Sequence, residues 1–115
     1  MAMDYGASVD NSGQMGLDAI EAAINTQQQI QAAGLTSKVG VTPMIGVNDM
    51  YPETFTLADA QMLLDFAQGN PGIASLGFWS IARDNGGTPG AHYSSPDSSG
   101  LAQTPYEFAS IFKQI

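Results

Sequence analysis

Ile73-Ala-Ser-Leu-Gly-Phe-Trp79 is a short, mostly apolar run that ends in the single tryptophan of the chain. Two similar runs precede it and end at Met3-Asp4-Tyr5 and at Met44-Ile45-Gly46-Val47-Asn48-Asp49. A helix-like segment follows each run, so the element order is β-α-β-α-β-α. Strands that alternate with helices predict a parallel sheet, and ligands bind at the carboxyl ends of the strands in such sheets. The polar and aromatic residues at these three ends are therefore candidate ligand contacts.

Two helices follow from local patterns. The first is predicted near 15–33, where apolar residues recur on one stripe and Gly34 is a stop signal. The second is predicted after Thr56, which resembles a capping box with Asp59, and its apolar stripe ends at Gly69.

A third helix is predicted from Thr104-Pro105-Tyr106-Glu107, which offers a hydroxyl cap, a proline at the first helical position and a glutamate three residues after the cap. Before it, residues 84–103 are rich in Gly, Ser, Pro and Asn and form a loop too long for a plain connection. The stretch 39–45 is almost wholly apolar, which predicts a parallel strand covered on both faces, provided that Pro43 lies near the strand end.

Composition excludes several classes of function. The chain has 115 residues and a net charge of −8, which would repel nucleic acids and anionic membranes. No apolar run approaches the ~20 residues of a transmembrane helix. The sequence contains no cysteine, and His92 is the only histidine, so no metal or other cofactor is expected. Lys38 and Lys113 fall at a strand start and a helix end, which argues against an aldolase.

Three βα units do not close a sheet, because both edge strands would remain unpaired. Eight such units close into a barrel. Since the first strand begins at residue 1, we expect residues 1–115 to be the C-terminal portion of one α/β barrel domain, the last three βα units (strands 6–8) of a (β/α)8 TIM barrel. A smaller open α/β sheet is the alternative.

Four segments together resemble the C-terminal part of bacterial chitinases of glycoside hydrolase family 18. They are, in order, Met1-Ala-Met-Asp-Tyr-Gly6, Val39-Gly-Val-Thr-Pro-Met-Ile-Gly46, Phe78-Trp-Ser-Ile-Ala-Arg-Asp84 and Ser99-Gly-Leu-Ala-Gln-Thr-Pro-Tyr-Glu-Phe108. The resemblance implies a barrel that hydrolyses β-1,4-linked N-acetylglucosamine polymers with retention, with the substrate's acetamido oxygen as the nucleophile. It also implies a secreted protein, since polymeric chitin cannot enter cells.

The resemblance assigns roles to strand-end residues. Trp79 would be the hydrophobic floor under the sugar ring, although its position alone is equally compatible with core packing. Met1 and Asp4 match a strand-six pattern that holds the acetamido group, and Met3 stands where many members carry a tyrosine, so Tyr5 is a further candidate for the hydroxyl. Asn48 and Asp49 could bind sugar hydroxyls, or simply form a turn.

The same resemblance predicts what the chain cannot do alone. Family members carry their general acid in Asp-x-x-Asp-x-Asp-x-Glu, and none of the 11 acidic residues here has that spacing. We therefore expect the chain alone to be catalytically inactive and the intact protein to be a chitinase. The expected partners are chitin or chito-oligosaccharides, and either a missing N-terminal part of the barrel or a second copy. The alternative is a non-catalytic chitin-binding protein.

Overall fold

The computed structural model describes residues 1–6 and 13–115. Its helices are α1 (Met15–Ala32), α2 (Leu57–Gln68) and α3 (Glu107–Phe112), and a short 3-10 helix spans Ile81–Arg83. Its strands are β1 (Val39–Val41), β2 (Gly46–Val47), β3 (Thr54–Phe55) and β4 (Ile73–Leu76). The structure is thus of the α/β class, as predicted.

Three chain segments lie side by side in parallel. β1 pairs with β4 in parallel, and the pairing continues beyond both strands as a bridge between Met44 and Trp79. On the other side of β1, Ala2 bridges to Pro43 in parallel, and its amide donates to the Thr42 carbonyl at 2.9 Å. The three sequence runs therefore bring their carboxyl ends to one edge, as the β-α-β-α-β order predicts.

The first two helices confirm the sequence interpretation. α1 ends before Gly34, whose φ of 72° is a conformation that favours glycine. α2 begins after Thr56, and Thr56 and Asp59 form the complete capping box, with the helix ending at Gly69. Both helices pack on the same side of the sheet, and the core consists of residues from both helices, β1, β3, β4 and α3, including Ala19, Ala23, Val39, Val41, Phe55, Leu63, Ile73, Phe108 and Phe112.

Only one face of the parallel sheet is covered within the described part of the chain. Val39, Val41 and Ile73 point into the helical core, whereas Gly40, Ala74 and Ser75 are exposed. The coverage of 39–45 on both faces that the sequence predicts is therefore found on one face only among the described residues. The apolar composition of the run reflects the buried positions 39, 41, 43, 44 and 45, and the second face stays open because no described element packs on it.

The third helix begins later than predicted. α3 starts at Glu107, and Thr104 binds the Glu107 carboxylate through both its amide and its hydroxyl, at 2.8 and 3.1 Å, without capping the helix itself. Tyr106 occupies a left-handed conformation, with φ at 61°, at the N-cap. The helix cap is supplied from a distance by Asp84, whose carboxylate accepts from the amides of Phe108 and Ala109 at 3.1 and 2.9 Å.

A small antiparallel hairpin was not predicted. β2 pairs with β3, so that Gly46 lies opposite Phe55 and Val47 lies opposite Thr54. Together with the long loop 84–103, which contacts β2 through the Val47 amide and the Ser99 carbonyl at 2.8 Å, the hairpin forms the upper edge of the sheet. A Cβ at Gly46 would collide with the Ser99 carbonyl, so this close approach requires glycine.

Candidate functional site

Trp79 lies at the end of the β4 run with 56% of its surface exposed. Its amide donates to the Pro43 carbonyl at 2.9 Å, and its carbonyl accepts from the Ile45 amide at 3.0 Å, so the main chain is held by the neighbouring strand. The peptide bond between Trp79 and Ser80 is cis. The main chain of Trp79 is thus held in place, and its indole is not part of the hydrophobic core of the described residues.

The indole borders an open cleft of about 270 Å³. The residues that line the cleft are Met44, Asp49, Trp79, Arg83, Ser94, Ser95 and Pro96. Ligand sites usually span about 300–1,000 Å³ and combine apolar walls with a few polar groups. The cleft is slightly smaller than that range, and it offers one aromatic wall, one carboxylate and two hydroxyl-bearing residues.

Arg83 holds the walls of the cleft in place. Its guanidinium donates to the carbonyls of Ile45 and Val47, both at 2.7 Å, and to the Ser95 carbonyl at 3.0 Å. Only 2% of its surface is exposed, and burial lowers its pKa while the charge of Asp49 acts in the opposite direction. The guanidinium thereby connects the end of the central strand run to the loop that carries Ser94 and Ser95. These three bonds give Arg83 a structural role at the cleft.

Two of the seven predicted substrate-binding residues, Trp79 and Asp49, line the cleft together. Asp49 is exposed and accepts a hydrogen bond from the Ser94 hydroxyl at 2.5 Å, which joins the two loops above the sheet. Asn48, directly before it, is only 2% exposed, and its side-chain amide donates to the carbonyls of Met44 and Gly46, both at 2.9 Å. The Asn48 side chain is therefore bonded to the main chain of Met44 and Gly46 and does not line the cleft.

None of the four candidates of the first segment is among the residues that line this cleft. Met1 is exposed and borders a hollow between α1 and β1, and Met3 is partly buried. Asp4 is exposed with φ at 55°. Tyr5 packs against the core and lines a hollow with Asp18 and other residues of α1.

Burial and nearby carboxylates raise the pKa of two side chains in this segment, Asp4 and Tyr5. Partial burial raises the pKa of Asp4, and the negative charges of Asp49 and Glu53 raise it further. Burial, with the charges of Asp18 and Glu53, raises the pKa of Tyr5 to about 12, so the phenol remains a neutral hydrogen-bond donor at neutral pH. The Glu53 carboxylate accepts from the Gly6 amide at 3.1 Å, which ties the first segment to the β2–β3 hairpin.

Sequence reasoning recognised the unusual length of the loop 84–103 but named none of its residues that line the cleft. Ser94, Ser95 and Pro96 line it because Arg83 and the Asp49 carboxylate hold that part of the loop against the strand ends. The only signal in the sequence was the length of the loop, since long loops at the ligand end of a sheet commonly carry function. Among the described residues, no three acidic or histidine side chains converge as metal ligands, and no helix there is long and apolar enough to cross a bilayer.

The sequence relates this chain to chitinases. It is 38% identical, over 97% of its length, to a probable bifunctional chitinase/lysozyme of Escherichia coli (strain K12), and 36% identical, over 73% of its length, to endochitinase 11 of Metarhizium anisopliae. It spans only 14% and 18% of those two curated relatives. No model of a known protein family matches the chain.

Solved structures give the same relationship. The catalytic domain of the hyperthermophilic chitinase from Pyrococcus furiosus superposes with a TM-score of 0.76 and 34% sequence identity, over 99% of this chain and 38% of that one. Catalytic-site mutants of active domain 2 of the thermostable P. furiosus chitinase, complexed with chito-oligosaccharides, match equally well. The chain is thus chitinase-related along nearly its whole length, and it corresponds to a part of a chitinase catalytic domain.

Proposed function

We propose that this chain forms one wall of the substrate cleft of a chitin-degrading glycoside hydrolase, and that Trp79 is the surface on which an N-acetylglucosamine ring stacks. The observation that carries the proposal is the 56% exposed indole at a strand end, beside a polar-edged cleft, in a chain that superposes on a chitinase catalytic domain. An indole face suits the apolar C–H face of a pyranose. Asp49, Ser94 and Ser95 would bind the ring hydroxyls.

In the intact protein, residues 1–115 would supply the last three βα units, strands 6–8, of a (β/α)8 barrel. Two observations support this position: the three parallel segments end at one edge, and the face of the sheet opposite the helices is open in the described residues. That open face would be covered by the rest of the barrel or by a second copy of the chain. The barrel would hydrolyse β-1,4 linkages with retention, by attack of the substrate's acetamido oxygen, and would act outside the cell.

The chain alone would bind sugar without cleaving it. General acid catalysis typically contributes ~10²–10⁴-fold to such a reaction, and no acidic residue of this sequence has the spacing of the chitinase acid motif. The second candidate function, a non-catalytic chitin-binding protein, rests on the same observation. The two differ in whether joining this chain to the remainder of a barrel produces hydrolysis.

Binding can be measured at the site itself because Trp79 is the only tryptophan. We expect N-acetylglucosamine oligomers to change its fluorescence saturably and cello-oligosaccharides, which carry no acetamido groups, to bind more weakly. Calorimetry of Trp79→Ala should show at least a tenfold loss of affinity. Ile81→Ala is the matched control, since Ile81 is also an exposed apolar residue, at 59%, two positions along the chain. Equal binding by wild type and Trp79→Ala would remove Trp79 from the site.

Catalysis can be tested with a chimera. Replacing the matching 38% of the P. furiosus catalytic domain with this chain should give a protein that hydrolyses chito-oligosaccharides, whereas the 115-residue chain alone should release no sugar. A folded chimera, judged by a cooperative thermal transition, that binds oligomers but does not hydrolyse them would favour the non-catalytic function.

A further inference from the structure

A second aromatic surface lies outside the Trp79 cleft. Tyr51, His92 and Tyr93 line a hollow of about 330 Å³, and the ring centroids of Tyr51 and His92 are 6.2 Å apart with a tilt of 43°. Tyr51 is 71% exposed and Tyr93 is 84% exposed. Single exposed apolar residues are ordinary on protein surfaces, but a contiguous group that spans two loops marks an interaction site.

The aromatic surface and the Trp79 cleft are built from the same two loops. Asp49 lines the cleft, and Tyr51 follows it by two positions. Ser94 and Ser95 line the cleft, and Tyr93 directly precedes them. The hydrogen bond between Ser94 and Asp49 joins the two loops, so the aromatic surface adjoins the cleft across this bond.

We infer that Tyr51, His92 and Tyr93 form a second sugar-binding subsite, which holds a further N-acetylglucosamine unit of the same oligomer that stacks on Trp79. This inference rests on the proposed function. Aromatic rings pack against the apolar face of a pyranose, and the tyrosine hydroxyls and imidazole nitrogens can bond to sugar hydroxyls and to the acetamido group.

The charge and the size of the two hollows support a neutral oligomer as the ligand. The chain carries a net charge of −8, and Asp49 stands at the boundary between the hollows, which disfavours anionic polysaccharides. Each hollow, at about 270 and 330 Å³, is close to the lower limit of the range for ligand sites. Each therefore suits one part of a chain, and the two together suit a longer oligomer.

The test compares short and long oligomers. Dissociation constants of the N-acetylglucosamine dimer and hexamer would be measured for the full chain and for the variants Tyr93→Ala, Tyr93→Phe and Trp79→Ala. We expect Tyr93→Ala to weaken hexamer binding by about threefold to tenfold, the effect of one lost aromatic contact, and to leave dimer binding unchanged. Tyr93→Phe keeps the ring and should bind both oligomers within twofold of the wild type.

A measurement without any variant accompanies the comparison. In the wild-type chain, the ring proton resonances of Tyr51 and Tyr93 should shift on addition of the hexamer and not on addition of the dimer.

The outcomes separate this inference from the proposed function. If Trp79→Ala weakens binding while Tyr93→Ala binds the hexamer like the wild type, the second subsite is overturned and the proposed function stands. If the wild-type chain binds no oligomer, both are overturned. If Tyr93→Ala abolishes self-association without altering hexamer affinity, the aromatic surface is a contact between copies of the chain and the subsite is overturned.

Discussion

The Asp59 carboxylate bonds to the starts of two helices. Its Oδ1 accepts from the Gly16 amide, in the first turn of α1, at 3.0 Å, while its Oδ2 accepts from the Thr56 amide at 2.8 Å. The unpaired amides of both helix N-termini thus share one buried anion, which also complements the two helix dipoles. These two bonds hold the N-termini of α1 and α2 together.

Replacing Asp59 with alanine should lower the free energy of unfolding by about 2–4 kcal/mol, because one substitution removes a helix cap and a charge-assisted bond to a second helix. Urea denaturation followed by far-ultraviolet circular dichroism would measure the loss. Asp65→Ala is the control on the same helix, since Asp65 is exposed and its side chain bonds only to the exposed Gln61 among the described residues. This variant should change stability by less than about 0.5 kcal/mol. Equal effects of the two variants would contradict the shared cap.

Gly16→Ala should destabilise the protein although alanine favours helices. A Cβ at this position would lie 2.8 Å from the Asp59 Oδ1 and 3.0 Å from the Asp59 Cα, so α1 and α2 would have to move apart. Overpacking of this kind costs about 1–3 kcal/mol. Gly69→Ala is the comparison, because its nearest contact would be 3.5 Å and its φ is −84°. A thermal melt in which Gly16→Ala is as stable as Gly69→Ala would rule out the close contact.

Arg83→Met should destabilise the chain by about 3 kcal/mol and weaken binding of sugar oligomers. The substitution removes the donor to three carbonyls, of which those of Ile45 and Val47 lie in buried residues. Arg83→Lys should recover only part of the loss, because an ammonium group cannot reproduce the planar fork. Chemical denaturation and oligosaccharide titration would be run together, with Lys113→Met, at an exposed helix end, as the control. Unchanged affinity for sugar oligomers in a folded Arg83→Met protein would show that ligand binding does not depend on Arg83.

Asp4→Asn should stabilise the chain at pH 7. Burial and the charges of Asp49 and Glu53 raise the pKa of Asp4 in the folded state above its unfolded value of about 3.9. The folded state thus binds this proton more tightly, so the stabilising contribution of Asp4 is complete below that unfolded value and is lost as the pH rises through the folded pKa. Asparagine is uncharged and tolerates the φ of 55°.

Melting temperatures at pH 7 and pH 3 would test this expectation. The variant should melt higher than the wild type at pH 7, and the difference should shrink at pH 3, where both side chains are uncharged. A difference that is the same at both pH values would show that the charge of Asp4 is not its source.

The helices were predictable from sequence because their signals are local. The capping box of Thr56 and Asp59 lies within four residues, and the stop at Gly34 follows from its own conformational freedom. The start of α3 was not predictable in the same way. Thr104 and Glu107 do bond to each other, but the helix amides are taken by Asp84, which is 24 residues before Phe108. A helix cap that is supplied by a residue distant in sequence cannot be recognised from the residues next to the helix.

The candidate site, like the helices, was predictable from sequence only where its residues are placed by local patterns. Trp79 and Asp49 follow apolar strand runs, so their place at one edge could be read from the order of elements. Ser94 and Ser95 could not, because they reach the cleft through bonds from Arg83 and Asp49 across the fold. Asn48 differs again, since its burial depends on the β2–β3 hairpin, whose strands have only two residues each.

Arg83 holds the main chain around the cleft, whereas other side chains line the cleft. All three partners are main-chain carbonyls, so the bonds from Arg83 do not depend on the side chains of the loop, whereas the bond between Asp49 and the loop requires the hydroxyl of Ser94. A substitution at position 96 would alter the lining of the cleft and leave the bonds from Arg83 and Asp49 to the loop in place. The loop is therefore a place where related proteins can acquire new ligand preferences through single changes.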